Sequence, residues 1–254
     1  MGAESRIDRR PDQALFWQPS KPPIVKSLLS AIFLLAPTVS PAAVLANYTF
    51  NDSSTTVANP NSSDTDGLTS ASTFTANNGG PVGGGAGISS STDMAFFRSD
   101  GLTTTTGDAV TNGDYFQFTI SPIGGASMTL TSVTLDFGGS NSGTGGASFT
   151  TFGVIRSNAE AVDYTTDLGS FSKTITADST DNQLTGQTVN LSGSDFLNLT
   201  TPVTFRIYVY SSANTVSNQI ARLDNVVLNG TSVPEATSAM LAVVGLAAAG
   251  LRRR

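Results

Sequence analysis

Histidine and cysteine are both absent from this 254-residue chain. Without histidine there is no Ser-His-Asp triad, no imidazole general base and no histidine-ligated metal. Without cysteine there is no thiol nucleophile, no zinc thiolate site and no disulfide. The lack of cysteine names no compartment, because an exported protein can do without disulfides. Cationic charge is scarce. Residues 47–232 carry Arg98, Arg156, Lys173, Arg206 and Arg222 against fourteen Asp and one Glu, a net charge of −10. Such a surface repels nucleic acid and anionic lipid, so no nucleic-acid partner is expected. Runs of helix-forming Leu, Ala, Lys and Glu are missing from the same region. Ser, Thr, Asn and Gly dominate instead, and these are turn and strand preferences.

What is present falls into three parts: residues 1–46, 47–232 and 233–254. The first is basic (Arg6, Arg9, Arg10, Lys21, Lys26) and leads into nine mostly apolar residues, 28–36. Pro37 and Pro41 follow, then the small-residue end Val44-Leu45-Ala46. Basic region, apolar run and small residues at a cut are the order of a secretory signal peptide. The run is too short to span a bilayer. Cleavage is expected after Ala46, with Ala42 and Ala43 as alternatives. The basic region is unusually long, and a translation start nearer Ile24 would shorten it.

The last part reads Val233-Pro234-Glu235, then the apolar stretch 236–251, then Arg252, Arg253 and Arg254. Sixteen helical residues rise about 24 Å, short of a hydrocarbon core of about 30 Å. Three arginines cross a bilayer only at high cost, so they stay cytoplasmic and stop transfer. A chain led out by the N-terminal signal would hang outside on this short transmembrane helix.

Pro-Glu, a short apolar helix and a terminal arginine cluster resemble the PEP-CTERM sorting tail of exported bacterial proteins. The likeness covers about the last 22 residues and departs at Ala236, where that family usually has a second proline. It implies recognition by an exosortase, a membrane transpeptidase-like enzyme thought to cut near Pro234-Glu235. The joint pattern carries the likeness, not any one residue.

Residues 47–232 have the size of one domain with a substantial core. The clearest strand is 202–210: Val203, Phe205, Ile207 and Val209 point one way, Thr204, Arg206, Tyr208 and Tyr210 the other. Strict period two makes the first set core. Residues 114–120 repeat the pattern with Phe116, Phe118 and Ile120. In 127–137 the apolar parity shifts between Leu130 and Val133, which predicts a bulge or tight turn at Thr131-Ser132. Further strands are predicted at 47–50, 72–75, 93–98, 148–155, 169–176, 187–191 and 219–228. The last is apolar on both faces and is expected to sit centrally. Residues 194–199 are read as one helical turn. Short alternating runs between Gly- and Asn-containing breaks argue for an all-β sandwich or jelly roll.

The segments Phe118-Thr119-Ile120, 130–137, Phe205-Arg206-Ile207-Tyr208 and Arg222-Leu223-Asp224-Asn225-Val226 resemble the jelly-roll ectodomains common in PEP-CTERM proteins. More distantly they are similar to carbohydrate-binding modules. In such modules an Asp of the last strand often helps hold a structural calcium near the first strand. The likeness therefore points to Asp224, with Asn51 and Asp52 supplying oxygen near the N-terminus, and calcium asks for six to eight such oxygens. The plainer reading of Asp224 is an edge carboxylate, solvated or paired with Arg222 or Arg206. Tyr208 and Tyr210 share the face opposite the core set and form the candidate sugar platform, since an aromatic face gives dispersion contacts to a pyranose. Packing under a loop or neighbouring sheet is the other reading of that face.

Other motifs are weaker. Asp64-Thr65-Asp66-Gly67 echoes part of a calcium loop, but its twelfth position is Thr73, with no bidentate carboxylate. An acidic turn fits better. The glycine-rich segment 79–87 lacks the Lys-Ser/Thr of a phosphate loop and reads as a flexible loop. Thr103-Thr104-Thr105-Thr106 reads as a polar strand edge or loop. A glycoside hydrolase would need two carboxylates across a substrate. Glu160 is the single Glu of the domain, and Asp93, Asp100, Asp136 and Asp163 sit where turn chemistry explains them. The expectation is an exported surface or extracellular-matrix protein without catalytic activity or obligate cofactor. The alternative is a carbohydrate-binding module with a structural calcium.

Overall fold

The chain divides into two compact units, Met1–Val39 and Ser40–Arg254. The computed structural model describes residues 42–50, 60–63, 66–77, 86–89, 94–98, 102–141, 147–159, 163–176, 182–212 and 219–234, all within the second unit. They form twelve strands: β1 (Ala43–Tyr48), β2 (Thr69–Ala71), β3 (Thr75–Asn77), β4 (Ala86–Ser89), β5 (Met94–Arg98), β6 (Tyr115–Pro122), β7 (Ser127–Asn141), β8 (Phe149–Ser157), β9 (Gly169–Ile175), β10 (Asn182–Asn190), β11 (Val203–Ser211) and β12 (Gln219–Val233). One helix, α1 (Thr106–Asn112), precedes β6, and a 3₁₀ turn (Ser194–Phe196) precedes β11.

The strands make two antiparallel sheets, a β-sandwich architecture. The first runs β10-β7-β12-β5-β4, with β1 also pairing with β12. The second runs β9-β8-β11-β6-β2, with β3 also pairing with β6. From β6 onward the chain keeps changing sheet: β6 second, β7 first, β8 and β9 second, β10 first, β11 second, β12 first.

Alternation drives this arrangement. In β11 the expected set Val203, Phe205, Ile207 and Val209 is buried. The inward residues of β6 and β7 meet it and β12's Leu223, Val226 and Leu228 in one core. Aromatic rings fill much of the space: Phe97 packs on Phe116 at 4.5 Å, Phe118 on Phe205 at 5.3 Å, and Phe137 on Phe171 at 4.6 Å. Each buried ring of this size contributes roughly 1.5–3 kcal/mol over leaving it in water. The buried Tyr48 keeps its hydroxyl satisfied by donating to the Ser72 carbonyl at 2.6 Å.

The parity shift in β7 has the expected cause. Leu130 faces Gly230 and Ser132 faces Asn229, so Thr131 is the extra residue, and Met128, Leu130, Val133, Leu135 and Phe137 all reach the core. β12 is central, with β7 on one edge and β1 and β5 on the other.

Several elements differ from the sequence expectation: β7 and β12 run on to Asn141 and Val233, and β4 is a strand where the end of the glycine-rich segment reads as loop. The first strand begins at Ala43 rather than residue 47, because Leu45 and Ala46 are both fully buried around a bulge. The strand expected at 72–75 is two short ones flanking the buried Phe74. β10 starts at Asn182, five residues early, its polar face carried by pairing with β7. The threonine run is the start of α1. Thr105 accepts a hydrogen bond from the Asp108 N–H at 3.2 Å as the N-cap, and Gly113 closes the helix with φ +77°.

Candidate functional site

The outer face of the second sheet gathers the side chains with most chemistry. β11 sends Thr204, Arg206, Tyr208 and Tyr210 outward. Register sets their neighbours: Gln117 and Arg156 flank Arg206, Tyr115 and Val154 flank Tyr208, and Phe152 lies beside Tyr210.

Arg206 is clasped between two phenol rings, 4.4 Å from Tyr115 and 3.9 Å from Tyr164, and its Nε donates to Gln117 Oε1 at 2.9 Å. Tyr164 belongs to the segment after β8 and holds φ +56°. Arg156 ties that segment down. Its Nε donates to Asp167 Oδ1 at 2.6 Å and its Nη1 to the Tyr164 carbonyl at 2.9 Å. Stacking of this kind contributes about 0.5–2 kcal/mol per contact. Burial raises the Tyr164 phenol above its ordinary pKa, against the opposing pull of Arg206 and a hydrogen bond with Thr204. Burial lowers Arg206, but its hydrogen bond with Tyr208 and the surrounding phenols outweigh that and leave it raised.

This clasp corrects the expected platform. Tyr208 is only 2% exposed, roofed by Arg156 at 5.6 Å and edge-on to Tyr115 at 5.5 Å. Its ring is packing. Tyr210, two residues on, is half-buried and stacks on Phe152 at 4.7 Å with only 7° between the planes. The pair lines a groove of about 330 Å³ with Ser170, Phe171 and Ser172 of β9 and Leu184 and Gln187 of β10. The polar side chains of its lining residues carry three hydroxyls (Ser170, Ser172 and Tyr210) and the Gln187 amide, with no charged side chain among them. Such a groove offers apolar contact and neutral hydrogen bonding. Sequence reasoning missed Phe152. The signal was its parity: Phe149, Thr151, Gly153 and Ile155 are buried, which leaves a large aromatic on the outward set.

Asp224 lies in the other sheet, directly across from Asp136. Two facing carboxylates repel. Asn225, with φ +49°, reconciles them: its Nδ2 donates to Asp136 Oδ2 at 2.8 Å and to Asp224 Oδ2 at 3.4 Å. Its N–H donates to Asp224 Oδ1 at 2.7 Å, and the Gly186 N–H donates to Asp136 Oδ1 at 2.6 Å. Both carboxylates thus serve adjacent bulges, one in β12 and one in β10. Arg206, on the opposite sheet, is not the partner of Asp224. Asp52, the other expected calcium ligand, lies outside the described residues. Among the described residues no three acidic side chains converge as a metal site. Asp66 of the acidic turn accepts from Thr69 Oγ1 at 2.8 Å and Ser232 Oγ at 3.0 Å, clasping the turn to β12.

The Pro-Glu pair expected as a sorting motif begins where the last strand stops. β12 ends at Val233 and the next residue, Pro234, is exposed. Glu235, Arg252, Arg253 and Arg254 lie outside the described residues, as does the apolar segment 236–251. Among the described residues no helix is long and apolar enough to cross a membrane. Ala46, the expected cleavage position, lies inside β1 with its side chain buried. No protein-family model matches this chain, and no curated protein matches it.

Proposed function

We propose that this is an exported surface or extracellular-matrix protein. Its sandwich is a non-catalytic body, delivered by a secretory signal and retained by a PEP-CTERM-type tail that an exosortase-type enzyme processes. The observation that carries this reading is the junction at β12: the strand completes at Val233, and the Pro234-Glu235 motif follows at once on an exposed residue. A processing enzyme needs an accessible site beyond the folded body, and the exposed Pro234 directly after the end of β12 supports this reading. The strand order supports a jelly roll. Two four-strand rows, β1/β5-β12-β7-β10 and β6-β11-β8-β9, are filled by a chain that crosses between sheets. The cut that releases the signal is better read after Ala42 or Ala43 than after Ala46, because β1 then stays essentially whole. Ser40 and Ala42 supply the small residues such a cut requires.

Deleting residues 234–254 tests the proposal in the producing cell. Loss of envelope retention and of the tail-processing mass shift is the expected result; unchanged location and mass would remove it.

One observation favours a second reading, polysaccharide binding. The Phe152–Tyr210 stack beside hydroxyl and amide groups suits a neutral sugar ring. Tyr210→Ala and Phe152→Ala would each weaken binding to matrix polysaccharide about 3- to 10-fold, a stacking contact of roughly 0.5–1.5 kcal/mol. Retention of full binding in the double variant on a polysaccharide pull-down would exclude the groove. Tyr208→Ala is not the test, because that ring is buried and its loss perturbs the fold.

A further inference from the structure

Four large apolar side chains stand exposed among the described residues: Val44 at 43%, Ile123 at 42%, Leu197 at 52% and Val233 at 38%. Scattered singly they would mean nothing. Three of them are not scattered. Val233 ends β12 opposite Ser127, the first residue of β7. Ile123 is in the turn that joins β6 to that same start, its carbonyl accepting from the Ala126 N–H at 3.1 Å. Leu197 follows the 3₁₀ turn, next to Asn198, whose N–H donates to Thr129 Oγ1 at 3.1 Å, and two residues before Leu199, which bridges to Met128. Val44 is on the opening residues of β1, whose Ala43 faces Gly230. Ile123, Leu197 and Val233 therefore belong to one end of the sandwich, the end where β12 finishes, while Val44 lies opposite Asn229, four residues before that end.

That end is also tied to the apolar tail by a very short link. From Val233 to Ala236 there are three backbone steps, at most about 11 Å when fully extended. With residues 236–251 embedded as the proposed anchor, this end cannot stand off from the bilayer. A helix of about 24 Å is also shorter than the hydrocarbon core, and such mismatch draws its flanks into the headgroup layer. The domain's five cationic residues all lie on β5, β8, β9, β11 and β12, not in the turns of this end, while Asp195 is exposed on the 3₁₀ turn. The contact is thus apolar rather than electrostatic.

We propose that this end is a lipid-facing surface, with Ile123, Leu197 and Val233 inserted among the headgroups of a zwitterionic bilayer and the aromatic groove held at the far end. Tyr210 is seven residues beyond Val203 on β11, about 23 Å away along the strand from the turn end. The proposal rests on the reading of 236–251 as an anchor, and the experiment separates the two.

The chain has no cysteine, so single reporters can be placed in the full-length protein. Ile123→Cys, Leu197→Cys and Ser172→Cys carry an environment-sensitive fluorophore in phosphatidylcholine vesicles that contain brominated lipid. The expected result is co-flotation of all three, with quenching and a blue shift at 123 and 197 and neither at 172. Co-flotation with 123 and 197 as unquenched as 172 overturns the lipid-facing surface and leaves the anchor standing. Failure to co-float overturns the anchor, and the surface with it.

Discussion

At the scale of single residues, the outer face of the second sheet shows how position decides chemistry. Tyr208 and Tyr210 have the same side chain, the same strand and the same facing, yet one is sealed and the other lines a groove. The difference is Arg156 and Arg206, which hold the segment carrying Tyr164 over the first and not the second. A tyrosine ionises near pH 10 in the unfolded chain. Tyr164 keeps its proton to higher pH in the fold, chiefly through burial. Its contribution to stability is therefore complete below about pH 10 and declines as pH rises through the folded value. Urea midpoints measured from pH 8 to 11 should fall less steeply in Tyr164→Phe than in the parent. Gly153 is the second decisive residue. A Cβ there would run into the Phe171 ring, which fills the space above the glycine against Phe137. Gly153→Ala should cost about 1–3 kcal/mol by overpacking, read as a lower urea midpoint, with Phe171→Leu in the same chain recovering part of it.

At the scale of elements, the strands that alternate cleanly were legible in the linear chain. Those of β6, β7, β8, β9 and β11 lie where period two placed them, and even the bulge at Thr131 followed from a break in parity. The misread elements have a common cause. β1, β10 and β4 have weak alternation, and their conformation is imposed by neighbours that supply the ladder hydrogen bonds. Tertiary pairing overrides local preference in strands more than in helices. Helix α1 was missed because four threonines mask a capping signal that needs only Thr105, Asp108 and Gly113. β1 carries the sharpest consequence. Leu45 is fully buried in the shared core, and its strand covers β12 from Val226 to Gly230. Leu45→Ala should cost about 2–5 kcal/mol in chemical denaturation. With the signal removed as proposed, N-terminal sequencing of the mature protein should begin at Ala43 or Val44; a first residue of Asn47 would show that the body folds without half of this strand.

At the scale of the whole molecule, the described body has two unlike ends. One releases β12 toward Pro234 and displays the exposed Ile123, Leu197 and Val233; the aromatic groove lies toward the other. Because β12 is complete at Val233, removing 234–254 should leave the urea midpoint of the body unchanged while altering its retention, which separates a sorting role from a folding one. The linear chain by itself determined the all-β class, the inward and outward sets of the main strands, the low cationic charge and the two terminal patterns. Each of these depends on composition or on spacing along the chain, which local physics can read. Only the tertiary structure decided that Tyr208 is core while Phe152 joins Tyr210, that Asp224 answers to Asp136 through Asn225, and that β12 finishes at the end that holds Ile123 and Leu197. Those facts come from residues dozens of positions apart, brought together by strand pairing and packing.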